Sequence, residues 1–204
     1  MSMMKVIKFE DEEKWLEYRK GKITGTRLKD IISKNGTKQK KIGFYEIIAD
    51  RISIPPDNEN RLERGHRLED CAIRKFEKKT GKKVENDLVM WVRGDNEDIA
   101  LSPDGYIGTK EAVEVKCLAS AKHIEAYLTQ KIPSEYEYQV LQYFICNDDL
   151  ERLYFVFYDN CCPIDMFYLI VDRADIPSTK IAEYLQLEKE TLRHIDLIIQ
   201  SMLF

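Results

Sequence analysis

The stretch Ala112-Val113-Glu114-Val115-Lys116-Cys117 decides how the rest of the chain is read. Successive side chains of a strand point to opposite faces. Val113, Val115 and Cys117 therefore share one face, and Ala112, Glu114 and Lys116 share the other. A plain ion pair between Glu114 and Lys116 is one reading of that second face. Upstream, Gly108-Thr109-Lys110 supplies a hairpin turn, and across it lies Asp104. Pro103 breaks the preceding strand and exposes Asp104 beside the same face. Two carboxylates held close repel, and a divalent cation between them relieves the repulsion. Asp104 and Glu114 are thus candidate metal ligands, with Lys116 next to them.

Helices on either side add polar groups to this centre. Leu62–Lys79 reads as a helix closed by Gly81, with an apolar stripe of Leu62, Ala72, Ile73 and Phe76. Glu69 precedes Ala72 by three residues, Ile73 by four and Phe76 by seven, so it projects toward the core side. A carboxylate there is costly unless it is paired, protonated or bound to a cation; an ion pair with Arg67 or Arg74 at the stripe margin is the other reading. A second helix opens at Pro133-Ser134 and runs through Tyr138, Val140, Tyr143 and Phe144 to Asn147. Its spacing from Tyr136, Val140 and Tyr143 puts Gln139 on the inward stripe, where a buried amide can tie helix to sheet.

The remaining punctuation predicts helices over Glu10–Lys20, from the caps Thr24-Gly25-Thr26 onward, over Phe44–Ile52 and over Ala119–Thr129, and a long one after Pro177-Ser178. Ser33–Lys41 reads as a loop. Strands are expected over Val84–Val92, over Ile99–Ser102 and again at Tyr106-Ile107, over Arg152–Tyr158 and over Ile164–Val171. That order implies an α/β fold with a central mixed sheet flanked by helices. With no Gly/Ser linker or internal repeat, 1–204 reads as one domain: a helical part over about 1–80, a sheet core over about 83–172 and a C-terminal helix over about 176–204.

Composition narrows the class. The 204 residues are 44% hydrophobic and 33% charged, with a net charge of −4, which argues against coating nucleic acid by bulk positive potential. The charge is uneven, however: Lys14 to Lys41 holds ten basic and two acidic residues, and Ile145 to the C-terminus holds eleven acidic and five basic. A basic N-terminal third can attract phosphate locally. No run approaches the ~20 apolar residues of a membrane span, and Met-Ser-Met-Met-Lys leads into polar sequence rather than a signal core, so a cytoplasmic protein is expected. Five cysteines without a Cys-x-x-Cys indicate neither a disulfide framework nor a zinc knuckle, and Cys161-Cys162 reads as buried or strand-edge thiols. His66, His123 and His194 lack the spacing of a zinc helix.

The pattern Asp104-x9-Glu114-Val-Lys116, preceded by Ser102-Pro103, resembles the PD-(D/E)XK nucleases and their restriction-endonuclease-like core. Further blocks follow in order: Trp15…Arg19…Ile23-Thr24-Gly25-Thr26, Arg64-Gly65-His66-Arg67-Leu68-Glu69, Ser102-Pro103-Asp104-Gly105, Glu114-Val115-Lys116-Cys117 and Tyr138-Gln139-Val140-Leu141-Gln142-Tyr143. Together they resemble the lambda exonuclease, or YqaJ-type, phage recombinase nucleases from about Trp15 to Asp159.

The resemblance implies roles residue by residue. Glu69, Asp104 and Glu114, with the Val115 carbonyl, would hold one or two Mg²⁺ ions, with Mn²⁺ as a substitute. Lys116 would be the catalytic lysine and Gln139 the site glutamine. Arg19, Thr26 and Ser102 would bind the 5′-phosphate of DNA, a task suited to a guanidinium and two hydroxyls; the family commonly has serine where Thr26 stands. Leu62 would be the wedge that parts the terminal base pair, although a core leucine explains it equally well.

The implied activity is 5′→3′ digestion of linear double-stranded DNA. It would leave 3′ single-stranded tails for recombination with a single-strand annealing protein, and the enzyme would be a ring-shaped homotrimer acting in the host cytoplasm if phage-encoded. Two other readings stand beside it: a different PD-(D/E)XK enzyme, such as a structure- or site-specific endonuclease, and a catalytically silent DNA-binding module of the same fold. Iron–sulfur relatives need four suitably placed cysteines, which Cys71, Cys117, Cys146 and Cys161-Cys162 do not supply.

Overall fold

The computed structural model describes residues 4–31, 44, 47, 51, 63–118, 120–160 and 162–203. Leu62 and the loop expected over Ser33–Lys41 lie outside them, as do Cys161, most of the helix expected over Phe44–Ile52 and the side chain of His66.

Among the described residues, seven strands form two sheets. The first is β1 (Lys5–Lys8), β2 (Val89–Arg93) and β3 (Asn96–Leu101), antiparallel in that order. The second is β4 (Gly105–Ile107), β5 (Glu111–Lys116), β6 (Arg152–Tyr158) and β7 (Met166–Asp172). It is mixed, because β5 and β6 run parallel between two antiparallel neighbours. A parallel pair needs a crossover. Here α4 (Ser120–Thr129) and α5 (Glu137–Cys146) provide it, with a 3-10 turn over Ser134–Tyr136 between them.

The faces of the second sheet follow the alternation of β5 and β6. Val113, Val115, Tyr154, Val156 and Tyr158 pack under Ala72, Ile73 and Phe76 of α3 (Glu63–Thr80). The Phe76 ring meets Tyr154 and Tyr168 at 5.1 and 5.2 Å. Ala112, Leu153, Phe155 and Phe157 face the other way, toward Tyr143 and Phe144 of α5. Gly81 closes α3 with φ +72° and its N–H on the Glu77 carbonyl at 2.8 Å, a left-handed cap that a glycine adopts at least cost. The α/β architecture with a helix-flanked mixed sheet is therefore as the sequence implies.

Helix α5 is the hub. Every residue from Val140 to Cys146 is buried, since the first core covers one side and a second core the other. That second core joins Leu141 and Ile145 to Ile23, Leu28 and Ile31, and to Tyr184, Leu192 and Ile195. Those residues lie on the α2 side (Gly25–Ile31) and on the long α6 (Ser178–Leu203). Helix α1 (Glu12–Arg19) starts on Asp11, whose carboxylate accepts the Lys14 N–H at 2.8 Å, and buries Trp15. Among the described residues no helix is long and apolar enough to cross a membrane.

Three expectations need correction. The N-terminal part is not wholly helical: Lys5–Lys8 pairs with Val89–Val92 as an edge strand. Only Ile7 of its four residues is partly buried, so no apolar pattern announces it, and its lysines suit an edge that must not recruit another strand. Val84–Val92 is not one strand either. Glu85 pairs with Tyr106 of the second sheet, the chain bends at Asn86–Leu88, and Val89 opens β2 in the first. Finally, the strand broken at Pro103 does not resume in the same sheet, for β3 lies in the first and β4 in the second. The chain thus changes sheets twice, and both passages line one cavity.

Candidate active site

A cavity of about 490 Å³ opens at this seam. Asn86 to Val89 line one wall and Leu101 to Asp104 another, while Glu69, Glu114, Val115, Lys116 and Gln139 converge from α3, β5 and α5. Arg19, Thr24, Gly25 and Thr26 close it from the N-terminal helices.

Where β4 stops at Gly105, the edge of β5 would be left with an unpaired backbone donor. Asp104 continues the ladder with its side chain, accepting the Val115 N–H at 2.7 Å. Pro103 therefore does not leave Asp104 open to solvent; it is half-buried. Burial, followed by the charge of Glu114, holds its carboxyl well above the usual carboxylate range, with Glu69 adding to the push and Lys116 and the Val115 amide opposing it.

Glu114 is 1% exposed, a position no bare carboxylate tolerates. Three donors satisfy it. Lys116 Nζ and Gln139 Nε2 both reach Oε1, and the Tyr143 hydroxyl donates to Oε2 at 2.5 Å. The Lys116 ammonium also lies 5.1 Å over the ring of Tyr136. Burial works against its charge, but Glu114 and Asp104 outweigh that and hold its pKa above the ordinary lysine value. Both carboxylates therefore favour the charged form of Lys116. Desolvation, Glu69 and Asp104 push the Cys117 thiol up to about 12.

The donor set of Glu69, Asp104 and Glu114 consists of hard oxygens, and the mutual repulsion visible in Asp104 is what a divalent cation would relieve. The chemistry of the set fits such an ion. Among the described residues, however, no three His, Cys, Asp or Glu side chains stand ready to hold one. Lys116 and Gln139 occupy Glu114 Oε1, so a cation there would displace contacts now made to the protein, whereas the Val115 amide engages only Oδ2 of Asp104.

The rim opposite is cationic. The Arg19 guanidinium stacks 4.5 Å from the centroid of Trp15. Burial and the charge of Arg27 bring its pKa down to about 10, against Asp104 and Glu114. Thr26 is exposed on the rim, its Oγ1 3.4 Å from that of Thr24. Ser102 is already engaged: its Oγ donates to the Val89 carbonyl and accepts the Trp15 indole N–H, each at 2.8 Å. To donate to a ligand it must release Val89.

The structure thus brings Arg19, Thr26, Glu69, Ser102, Asp104, Glu114, Val115, Lys116 and Gln139 to one cavity. Sequence reasoning gave no role to Tyr143, Tyr136 or Arg27. Trp15, part of the N-terminal block, has a ring that is buried yet lines the cavity and holds both Arg19 and Ser102.

Two kinds of likeness accompany this geometry. A solved alkaline exonuclease (LHK-Exo) from Laribacter hongkongensis superposes with a TM-score of 0.81 at 26% identity, over 93% of this chain and 95% of that one. The same enzyme in complex with dAMP superposes with the same values. No curated protein is detectably similar in sequence. The sequence model of the YqaJ-like viral recombinase domain matches residues 14–149, from within α1 to just beyond the end of α5, and the chain belongs to that family.

Proposed function

We propose that the chain is a Mg²⁺-dependent deoxyribonuclease that digests linear double-stranded DNA from its 5′ ends, leaving 3′ single-stranded tails for recombination. One observation carries the reading: the buried Glu114 and half-buried Asp104 carboxylates, with a lysine and a glutamine, lie in the same cavity as an arginine and two hydroxyl residues. The likeness to an exonuclease supports it.

In this reading Glu69, Asp104 and Glu114, with the Val115 carbonyl, hold Mg²⁺ or Mn²⁺, one or two per site. When bound, the cation supplies Lewis-acid stabilisation of the scissile phosphate. Lys116 orients the attacking water and offsets charge developing on the phosphate. Gln139, released from Glu114, is placed to hold the same water or a phosphate oxygen. Arg19, Thr26 and Ser102 bind the terminal 5′-phosphate and so set the direction of digestion. A ring-shaped homotrimer around the duplex and a single-strand annealing protein as partner complete the proposal.

The test is degradation of linear duplexes with 5′-phosphate or 5′-hydroxyl ends, alongside closed circles, in Mg²⁺. Faster loss of phosphorylated ends and intact circles are expected. Arg19→Ala should erase about tenfold or more of that preference, the worth of a charge-assisted hydrogen bond. Cutting of circles would replace the exonuclease with an endonuclease. No hydrolysis with either metal at any ionic strength would leave a DNA-binding module.

A further inference from the structure

Tyr143 follows Gln139 by one helical turn, so both side chains leave the same face of α5 toward Glu114. Their grips on the carboxylate differ in kind. Lys116 and Gln139 hold Oε1 from flexible stems that can swing away. Tyr143 holds Oε2 at 2.5 Å from a rigid phenol that is fully buried and set edge-to-face against Trp91, with centroids 6.2 Å apart at 84°. The same hydroxyl lies 3.4 Å from the Val113 carbonyl of β5. One hydroxyl therefore ties the Glu114 side chain to the backbone of β5, the strand to which the Asp104 carboxylate is also held through Val115.

We propose that Tyr143 is a positioning residue of the hydrolytic site: it pins Glu114 Oε2, so that Glu114 offers the single oxygen Oε1 to a divalent cation at a fixed distance from Asp104. This rests on the metal-dependent nuclease reading. Partners behind a metal ligand commonly govern 10–100-fold of affinity, because they fix the ligand's orientation before the ion arrives.

The experiment measures Mn²⁺ binding by electron paramagnetic resonance, without DNA, for the wild-type chain, Tyr143→Phe and Trp91→Phe. The metal dependence of hydrolysis is followed in parallel. Tyr143→Phe keeps the ring and removes the hydroxyl. It should weaken Mn²⁺ binding about tenfold and raise the half-saturating metal concentration for hydrolysis equally, with KM for DNA unchanged. Trp91→Phe disturbs the packing of the ring but keeps the hydroxyl, so its Mn²⁺ affinity should stay within about twofold of wild type.

Equal affinity of Tyr143→Phe and wild type would overturn the inference while leaving the nuclease reading intact. Equal weakening in both variants would assign the effect to packing and also overturn it. Failure of Tyr143→Phe to fold where Trp91→Phe folds would do the same, making the hydroxyl a fold determinant. A wild-type chain that binds no Mn²⁺ would remove the nuclease reading itself, and this inference with it.

Discussion

Glu114 and Glu188 are both buried, at 1% and 0% exposure, and both are reached from helix α5. Gln139 and Tyr143 leave that helix toward Glu114, and Gln142 leaves it toward Glu188 on α6. Glu114 is surrounded by donors and shares its cavity with a second carboxylate and an ammonium. Glu188 receives one long amide contact of 3.3 Å, while its Oε1 and the Gln142 Oε1 have no hydrogen-bond partner. The Glu114 oxygens are both satisfied by donors, whereas burial with a single donor favours the protonated form of Glu188. Burial lifts Glu188 to about 8, against the Gln142 amide and the charge of Arg93 on β2. Burial alone therefore does not mark a functional carboxylate; the donors around it do.

The largest expected effect falls on the Glu114 side of this contrast. Lys116→Ala should lower hydrolysis at least about 10²-fold, the scale of a lost transition-state donor, while metal-dependent DNA binding, followed by anisotropy, persists. Full activity in that variant would remove the lysine from the mechanism.

Gly25→Ala strains both sides at once. Its added methyl would stand 2.8 Å from Leu101 Cδ1, 3.3 Å from Gln139 Cγ and 3.7 Å from Gln142 Cβ. Overpacking of this kind costs about 1–3 kcal/mol. A lower denaturation midpoint together with reduced hydrolysis is expected, and an unchanged midpoint would show that α2 and α5 can part freely.

The smallest effect belongs to Glu188→Gln. With a folded value near 8 and an ordinary value of 4.5, the unfolded chain ionises first, so this group's contribution to stability declines as pH rises from about 4.5 to about 8. The amide stays neutral and can donate to the Gln142 Oε1. Its Tm should exceed that of wild type at pH 8, with the gap closing toward pH 4.5 and hydrolysis unchanged. A wild-type advantage at pH 8 would mean that Glu188 is ionised and paired.

Glu114 and Lys116 were legible because a strand repeats every two residues, and a charge on a core strand breaks its pattern. Glu69 and Gln139 were legible by helical spacing. Tyr143 carried no such signal, since an aromatic on an inward stripe looks like core whether or not its hydroxyl is used. Glu188 was readable in principle: it falls four residues after Tyr184 and four before Leu192, inside an apolar stripe. The division into two sheets was not readable, because it depends on pairings between distant segments, Lys5 with Val92 and Glu85 with Tyr106, that no local pattern encodes.

The short passage from Leu101 to Gly105 acts as a ruler. One end is fixed in the first sheet and the other in the second, and Asp104 is set against Val115 by the number of peptides between. A single inserted residue there would slide the carboxylate along the edge of β5 while leaving every side chain of the site in the sequence. Spacing is as much a part of this site's chemistry as residue identity.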